Sequence, residues 1–183
     1  MKVDLHSRSA FSFLRGASHP RDLAARAAEL GIEAVALCDA DGVQGAPRFL
    51  RAAREAGIRA IVGAELSLEA EGARGRLPVL VESRAGYRNL CRLLTTAQLR
   101  GHPPAVGWAD LESTGTEGLI ALGGDRDGPL LEAWRSGGAT RAGDAARRLA
   151  DVFGRGGFFV EVQRHGLRRE LAEGRFLRDL AES

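Results

Sequence analysis

The chain has 183 residues, 44% of them hydrophobic and 27% charged, with a net charge of only +2; that is a core-forming, single-domain composition and not that of a disordered chain or a globally basic nucleic-acid binder. No stretch approaches the roughly 18 apolar residues of a membrane span, and Met1-Lys2-Val3-Asp4 opens no signal segment. Two isolated cysteines, Cys38 and Cys91, read as reduced, so the expectation is a cytoplasmic protein without membrane contact.

Val3 to His6 predicts a short strand, followed by a polar loop. Pro20 falls in the first turn of a helix, where its missing N–H costs nothing; Leu23, Ala27 and Leu30 share one face and Gly31 ends it. The apolar run Ile32 to Cys38 reads as a strand buried on both faces. Asp39-Ala40-Asp41-Gly42 turns the chain into a helix from about Gln44 to Ala56, and Ile58 to Leu68 is the third strand. Glu71 to Gly75 predicts a hairpin turn into Leu77–Val81, and a helix carrying Tyr87, Leu90, Leu94 and Ala97 follows. After an irregular stretch at His102-Pro103-Pro104 come a weak strand at Leu119–Leu122, two helical patterns parted by Gly137-Gly138, a strand at Phe158–Val162 and a helix over Arg168–Ala181.

Strands alternating with helices predict parallel βαβ units, in an open doubly wound sheet or a barrel. No Gly-rich phosphate loop of either common type is present. Lys2 is the sole lysine among 26 basic residues. Arginine suits phosphate contacts, but coding bias is the readier account, since alanine and glycine are abundant too.

In barrels of parallel strands the chemistry sits at the carboxyl ends. Polar residues expected there are His6 with Arg8, Asp39, Glu65, and Gln163-Arg164-His165. Imidazole and carboxylate are ligand types for zinc, manganese or iron. Each also has a plainer role: a hydrogen-bonded histidine, or Asp39 capping its own turn. Glu65 lies in an apolar strand and needs a partner, which an arginine supplies as readily as a metal.

Asp4-Leu5-His6-Ser7-Arg8-Ser9 and Phe11-Ser12-Phe13-Leu14-Arg15-Gly16-Ala17-Ser18-His19-Pro20 resemble the opening of the PHP (polymerase and histidinol phosphatase) domain of bacterial C-family DNA polymerases, above all its error-prone branch. Further similar stretches are Ala36–Asp39 with Gly42 and Gly45, Ile61–Leu66, Gly86–Leu94 and Val160–Gly166. The resemblance implies an α/β fold, a distorted seven-stranded TIM-like β/α barrel, with the chain supplying residues 1–183 of it and lacking the final strands. It also implies a cluster of divalent metals used for phosphoester hydrolysis in active members.

Of that family's ligand positions, His6, Glu65 and His165 are kept, whereas Arg8, Arg15 and Ala40 stand where ligands are expected. Arginine has no lone pair to offer a metal and stays protonated. The expectation is a vestigial site without catalytic residues, in which Arg8, Arg15 and Asp39 make ion-pair or anion contacts. No cofactor is expected, with zinc or manganese bound if the site still works. The implied role is a structural module of a damage-induced translesion DNA polymerase, its partners the polymerase core of the same full-length chain and, indirectly, DNA. The alternative is a stand-alone metal-dependent phosphoesterase of the histidinol phosphatase type. A truncated barrel should also expose apolar edges and dissolve poorly.

Overall fold

Ala34 to Cys38 is buried at every position, and this uninterrupted apolar stretch forms the strand on which the first half of the chain is built. The structure is a computed structural model that describes residues 2–123, 126–166 and 170–182. It contains β1 (Val3–Ser7), α1 (Pro20–Glu29), β2 (Ala34–Ala40), α2 (Ala46–Glu55), β3 (Arg59–Ala70), β4 (Ala73–Val81), α3 (Arg84–Arg100), α4 (Trp108–Thr114), β5 (Leu119–Leu122), α5 (Pro129–Phe153), β6 (Phe158–Phe159) and α6 (Glu170–Glu182). The strands are hydrogen-bonded to one another in chain order, β1-β2-β3-β4-β5-β6. A doubly wound sheet reverses its strand order part-way; this mixed α/β sheet does not, and it has the sequential order of a β/α barrel.

The chain divides into two units. The first comprises residues up to Leu66 together with Pro78–Val81. In it β1, β2 and β3 run parallel, with Val3 opposite Ala34 and Ala40 opposite Glu65. α1 and α2 connect these strands, and Ala24, Ala27, Val35, Leu37, Phe49, Ala52 and Ala53 form their common core. Small residues dominate that list, so helices approach the sheet closely. At Gly63 an added Cβ would lie 2.7 Å from both Cys38 Sγ and Val79 O.

The register of β1 against β2 shifts between Asp4 and Ser7. The cause is local: the Asp4 carboxylate accepts from the His6 backbone N–H at 3.0 Å and from the Ser7 hydroxyl at 2.7 Å. A bulge of this kind re-aims the side chains that follow it.

The second unit comprises Ser67–Leu77 and the chain from Glu82 onward. α3 is capped by Ser83, whose hydroxyl accepts from the Gly86 N–H at 3.1 Å. It lies tightly on the turn before β5: a Cβ at Gly86 would sit 1.8 Å from the Gly118 carbonyl oxygen. Backbone cannot yield there, so Gly86→Ala is expected to cost about 3 kcal/mol, read as a lower midpoint in thermal or urea unfolding. An unchanged midpoint would contradict this close approach.

Three differences from expectation have physical reasons. The strand expected over Phe158–Val162 is only Phe158–Phe159, because these two pair with Ala121 and Leu122 and β5 ends there. The hairpin is tighter, with Glu71 and Gly72 alone between β3 and β4, and φ at Gly72 is +78°. α4 was not expected: at seven residues it is too short to show a period, and its signal is Asp110, whose carboxylate accepts from the Gly107 N–H at 2.8 Å. The break foreseen at Gly137-Gly138 is present as non-helical backbone at Gly138 within α5. Of the helix expected from Arg168, positions 168 and 169 lie outside the described residues. Among the described residues no helix is long and apolar enough to cross a membrane.

Candidate functional site

Glu65 is fully buried, and three side chains from the first segment of the chain reach it. β3 carries it level with the end of β2, where Ala40 is its register partner. His6 Nε2 lies 2.9 Å from Glu65 Oε1, and an Arg8 terminal nitrogen donates to the same oxygen. Arg15 Nε is 3.8 Å from Oε2, the second carboxylate oxygen, which is buried without a hydrogen bond. Burial pushes the Glu65 carboxyl up, but the hydrogen bonds from His6 and Arg8 and the charges of both outweigh it, and the carboxyl is held at about 2. An ionised carboxylate only accepts, so the His6 contact requires Nε2 to carry its proton. The 3.3 Å approach of Arg8 to His6 Nε2 is then a close contact and not a second hydrogen bond.

Among the described residues the hydrogen bonds of Asp39 come from Ser9 and Ser12, and none comes from its own turn or from an arginine. Oδ1 accepts from the Ser9 N–H at 2.7 Å and from the Ser12 hydroxyl at 2.7 Å, and the Ser9 hydroxyl lies 2.8 Å from Oδ2. Ser9, Ser12 and Asp39 are all buried. Ser12 Oγ also accepts from the Ala40 N–H at 3.0 Å, so the position lacking an imidazole is tied to the same network by its backbone. The reason is steric as well as polar: a Cβ at Gly45 would lie 2.5 Å from Asp39 Oδ2, and one at Gly16 2.1 Å from the Ser9 carbonyl oxygen. The loop that carries Arg8 and Arg15 is therefore clamped from within. At its tip Phe13 and Leu14 remain 83% and 89% exposed.

His165 belongs to the second unit. Its ring Nε2 is 2.9 Å from Gln163 Oε1, and its backbone N–H donates to Glu170 Oε2 at 2.7 Å. The structure thus brings His6, Arg8, Arg15 and Glu65 together, gives Asp39 to two serines, and gives His165 a glutamine. Sequence reasoning missed Asp4, Ser9 and Ser12. Serines in a polar loop carry no periodic signal, and only their coincidence with a buried Asp39 reveals them. Among the described residues no group of three or more His, Cys, Asp or Glu side chains could hold a metal ion.

Parallel β1, β2 and β3, with an imidazole from β1 and a carboxylate from β3 brought together beside two guanidinium groups, define an α/β fold with a polar site at its strand ends. Residues 4–165 match the PHP domain, and the chain belongs to that family, as the Phe11–Pro20 motif led one to expect.

Within it, the chain is similar to error-prone DNA polymerases. It is 42% identical over 198 aligned positions to that of Symbiobacterium thermophilum, covering 99% of this chain and 18% of the polymerase. It is 41% identical to that of Mycolicibacterium paratuberculosis, covering 90% and 16%. The chain thus spans less than a fifth of the length of these relatives. Among solved structures, an amidohydrolase from Chromobacterium violaceum aligns with 24% identity over 82% of this chain and half of that one, with a TM-score of 0.46.

Proposed function

We propose that this PHP domain serves as a shape-holding module of an error-prone DNA polymerase and performs no phosphoester hydrolysis of its own. In this reading it supports a polymerase core in the same polypeptide and acts in translesion synthesis after DNA damage in the cytoplasm. Similarity to polymerases of that name over most of the chain supports the setting.

The observation that carries the loss of hydrolysis is the Arg8 guanidinium on Glu65. The divalent metals of the family do not fit these residues. Arg8 and Arg15 have no lone pairs, Ala40 has no donor side chain, and His6 presents a protonated Nε2 to the carboxylate. A close unit-charge pair is worth about 4 kcal/mol at an effective dielectric near 20, and a divalent ion doubles the repulsion from each guanidinium. Glu65 takes its compensating charge from arginine instead, through one Arg8 nitrogen on Oε1 and the Arg15 guanidinium 3.8 Å from Oε2.

Elemental analysis of the purified protein tests this, together with p-nitrophenyl phosphate turnover and shortening of an oligonucleotide 3′ end in manganese. No stoichiometric zinc or manganese and no turnover are expected. Stoichiometric metal that Glu65→Gln releases, with hydrolysis lost alongside it, would establish the phosphoesterase reading in its place.

A further inference from the structure

Among the described residues α3 is the one helix with no acidic side chain, although the chain as a whole is nearly neutral. Its buried side is Gly86, Asn89, Leu90, Leu93, Leu94 and Ala97. On the opposite side Arg84, Arg88 and Arg92 recur every four residues, and all three are exposed. Like charges at this spacing repel by a few tenths of a kcal/mol per pair, so the helix forms in spite of them. Some exposed arginines elsewhere are neutralised: Arg26 by Glu29, Arg147 by Asp144, Arg148 by Glu112. Even Arg100, at the end of α3, is held by Asp110 through two bonds of 2.6 and 2.5 Å. Among the described residues Arg84, Arg88 and Arg92 have no such partner. Glu82, just before the Ser83 cap, is the nearest acid in sequence.

We propose that this face of α3 is a binding surface for a nucleic-acid strand, gripped by its phosphodiester backbone. Four residues of helix advance about 6 Å, so the three guanidinium groups span roughly 12 Å. That is the length of three to four nucleotides at about 3.4 Å each. A nucleic-acid strand carries a phosphate at every nucleotide, and the planar fork of arginine matches phosphate oxygens. Beside the arginines lies an open recess lined by Tyr87, Arg88, Cys91, Arg92, Thr95 and Thr96. Tyr87 lines that recess and is 42% exposed, so a base or sugar can stack on its ring. Backbone contact of this kind reads no sequence. The inference is independent of the role given to the Glu65 cluster.

The test is fluorescence anisotropy with a fluorescein-labelled 20-nucleotide DNA, single-stranded and duplex, titrated with the full chain between 50 and 200 mM KCl. Arg84→Gln/Arg88→Gln/Arg92→Gln is expected to bind at least tenfold more weakly at the lower salt. The slope of log affinity against log salt should fall by about 2, as three lost phosphate contacts require for a single strand. Arg175→Gln/Arg178→Gln on α6 should bind as wild type does. Because the triple change relieves repulsion between exposed groups, its thermal midpoint should not drop. Should it fail to fold, Arg88→Gln alone should still lower the slope by about 0.7. Absence of binding by the unaltered chain at 50 mM, an unchanged slope in the variants, or equal loss in the α6 variant would each overturn the proposal. So would competition by polyglutamate as effective as by unlabelled DNA, which would assign the face to an acidic protein.

Discussion

Arg8→Ala is expected to destabilise the protein by about 3 kcal/mol, at the lower end of what removing one partner of a buried ion pair costs, since the Arg8 side chain keeps some exposure while Glu65 has none. The pH dependence identifies the cause. Glu65 titrates near 2 in the folded chain against an ordinary value of 4.5. Between those values the unfolded chain carries a proton that the native chain does not. The contribution is therefore complete above pH 4.5 and is lost as the pH falls towards 2; it amounts to about 3 kcal/mol.

Without Arg8, burial acts on Glu65 with less opposition, the carboxyl rises, and this acid-sensitive contribution shrinks. Urea unfolding at pH 7, 5 and 3.5, compared with Glu65→Gln to subtract the other carboxylates, measures both effects. Arg8→Met combined with Glu65→Gln should recover most of the loss, because a neutral pair leaves no stranded charge. An Arg8→Ala variant with the wild-type midpoint and the wild-type acid limb would remove the ion pair from any account of this domain.

Asp39→Ala should be costlier still. Its carboxylate accepts from the Ser9 N–H and from the hydroxyls of Ser9 and Ser12, all buried. Leaving such donors unsatisfied costs about 1–3 kcal/mol each, so a loss of about 4 kcal/mol is expected, or roughly 10 °C in the unfolding midpoint. Loosening should concentrate in the segment from Ser9 to Ser18. The Ala10 N–H, which donates to the Ser18 carbonyl at 2.8 Å, is a direct reporter. Hydrogen exchange should show it losing protection in the variant while the β2 amides keep theirs. Full protection at Ala10 together with a loss below about 1 kcal/mol would mean the serine–aspartate network holds nothing in place.

Much of the fold was legible because it is local. β2 announces itself as an unbroken apolar run, α1 by Pro20 and its apolar face, and the break in α5 by two adjacent glycines. Where the answer depends on a partner, sequence reading fails. The length of β6 is set by β5, not by the apolar residues after Phe159. The site divides in the same way. A carboxylate in an apolar strand demands compensation, so arginine partners for Glu65 could be anticipated from Arg8 and Arg15. Asp39 beside a turn looks like a cap, and nothing in its neighbours says that serines thirty residues earlier will fold over it. Motif resemblance supplied what periodicity could not: the Phe11–Pro20 stretch marks a loop whose glycines and serines have fixed packing duties.

The kink that Asp4 introduces into β1 has a further consequence. Because its carboxylate takes the His6 N–H, the opening strand is indexed from within, by a residue two places upstream, and not solely by the neighbour it lies against. Length there is as consequential as identity. Dropping or adding a single amino acid between Asp4 and Arg8 would swap which side chains face inward, leaving Glu65 opposite the wrong groups even with every original residue type retained. Point substitutions in this segment should be tolerated far more readily than frame-preserving insertions or deletions.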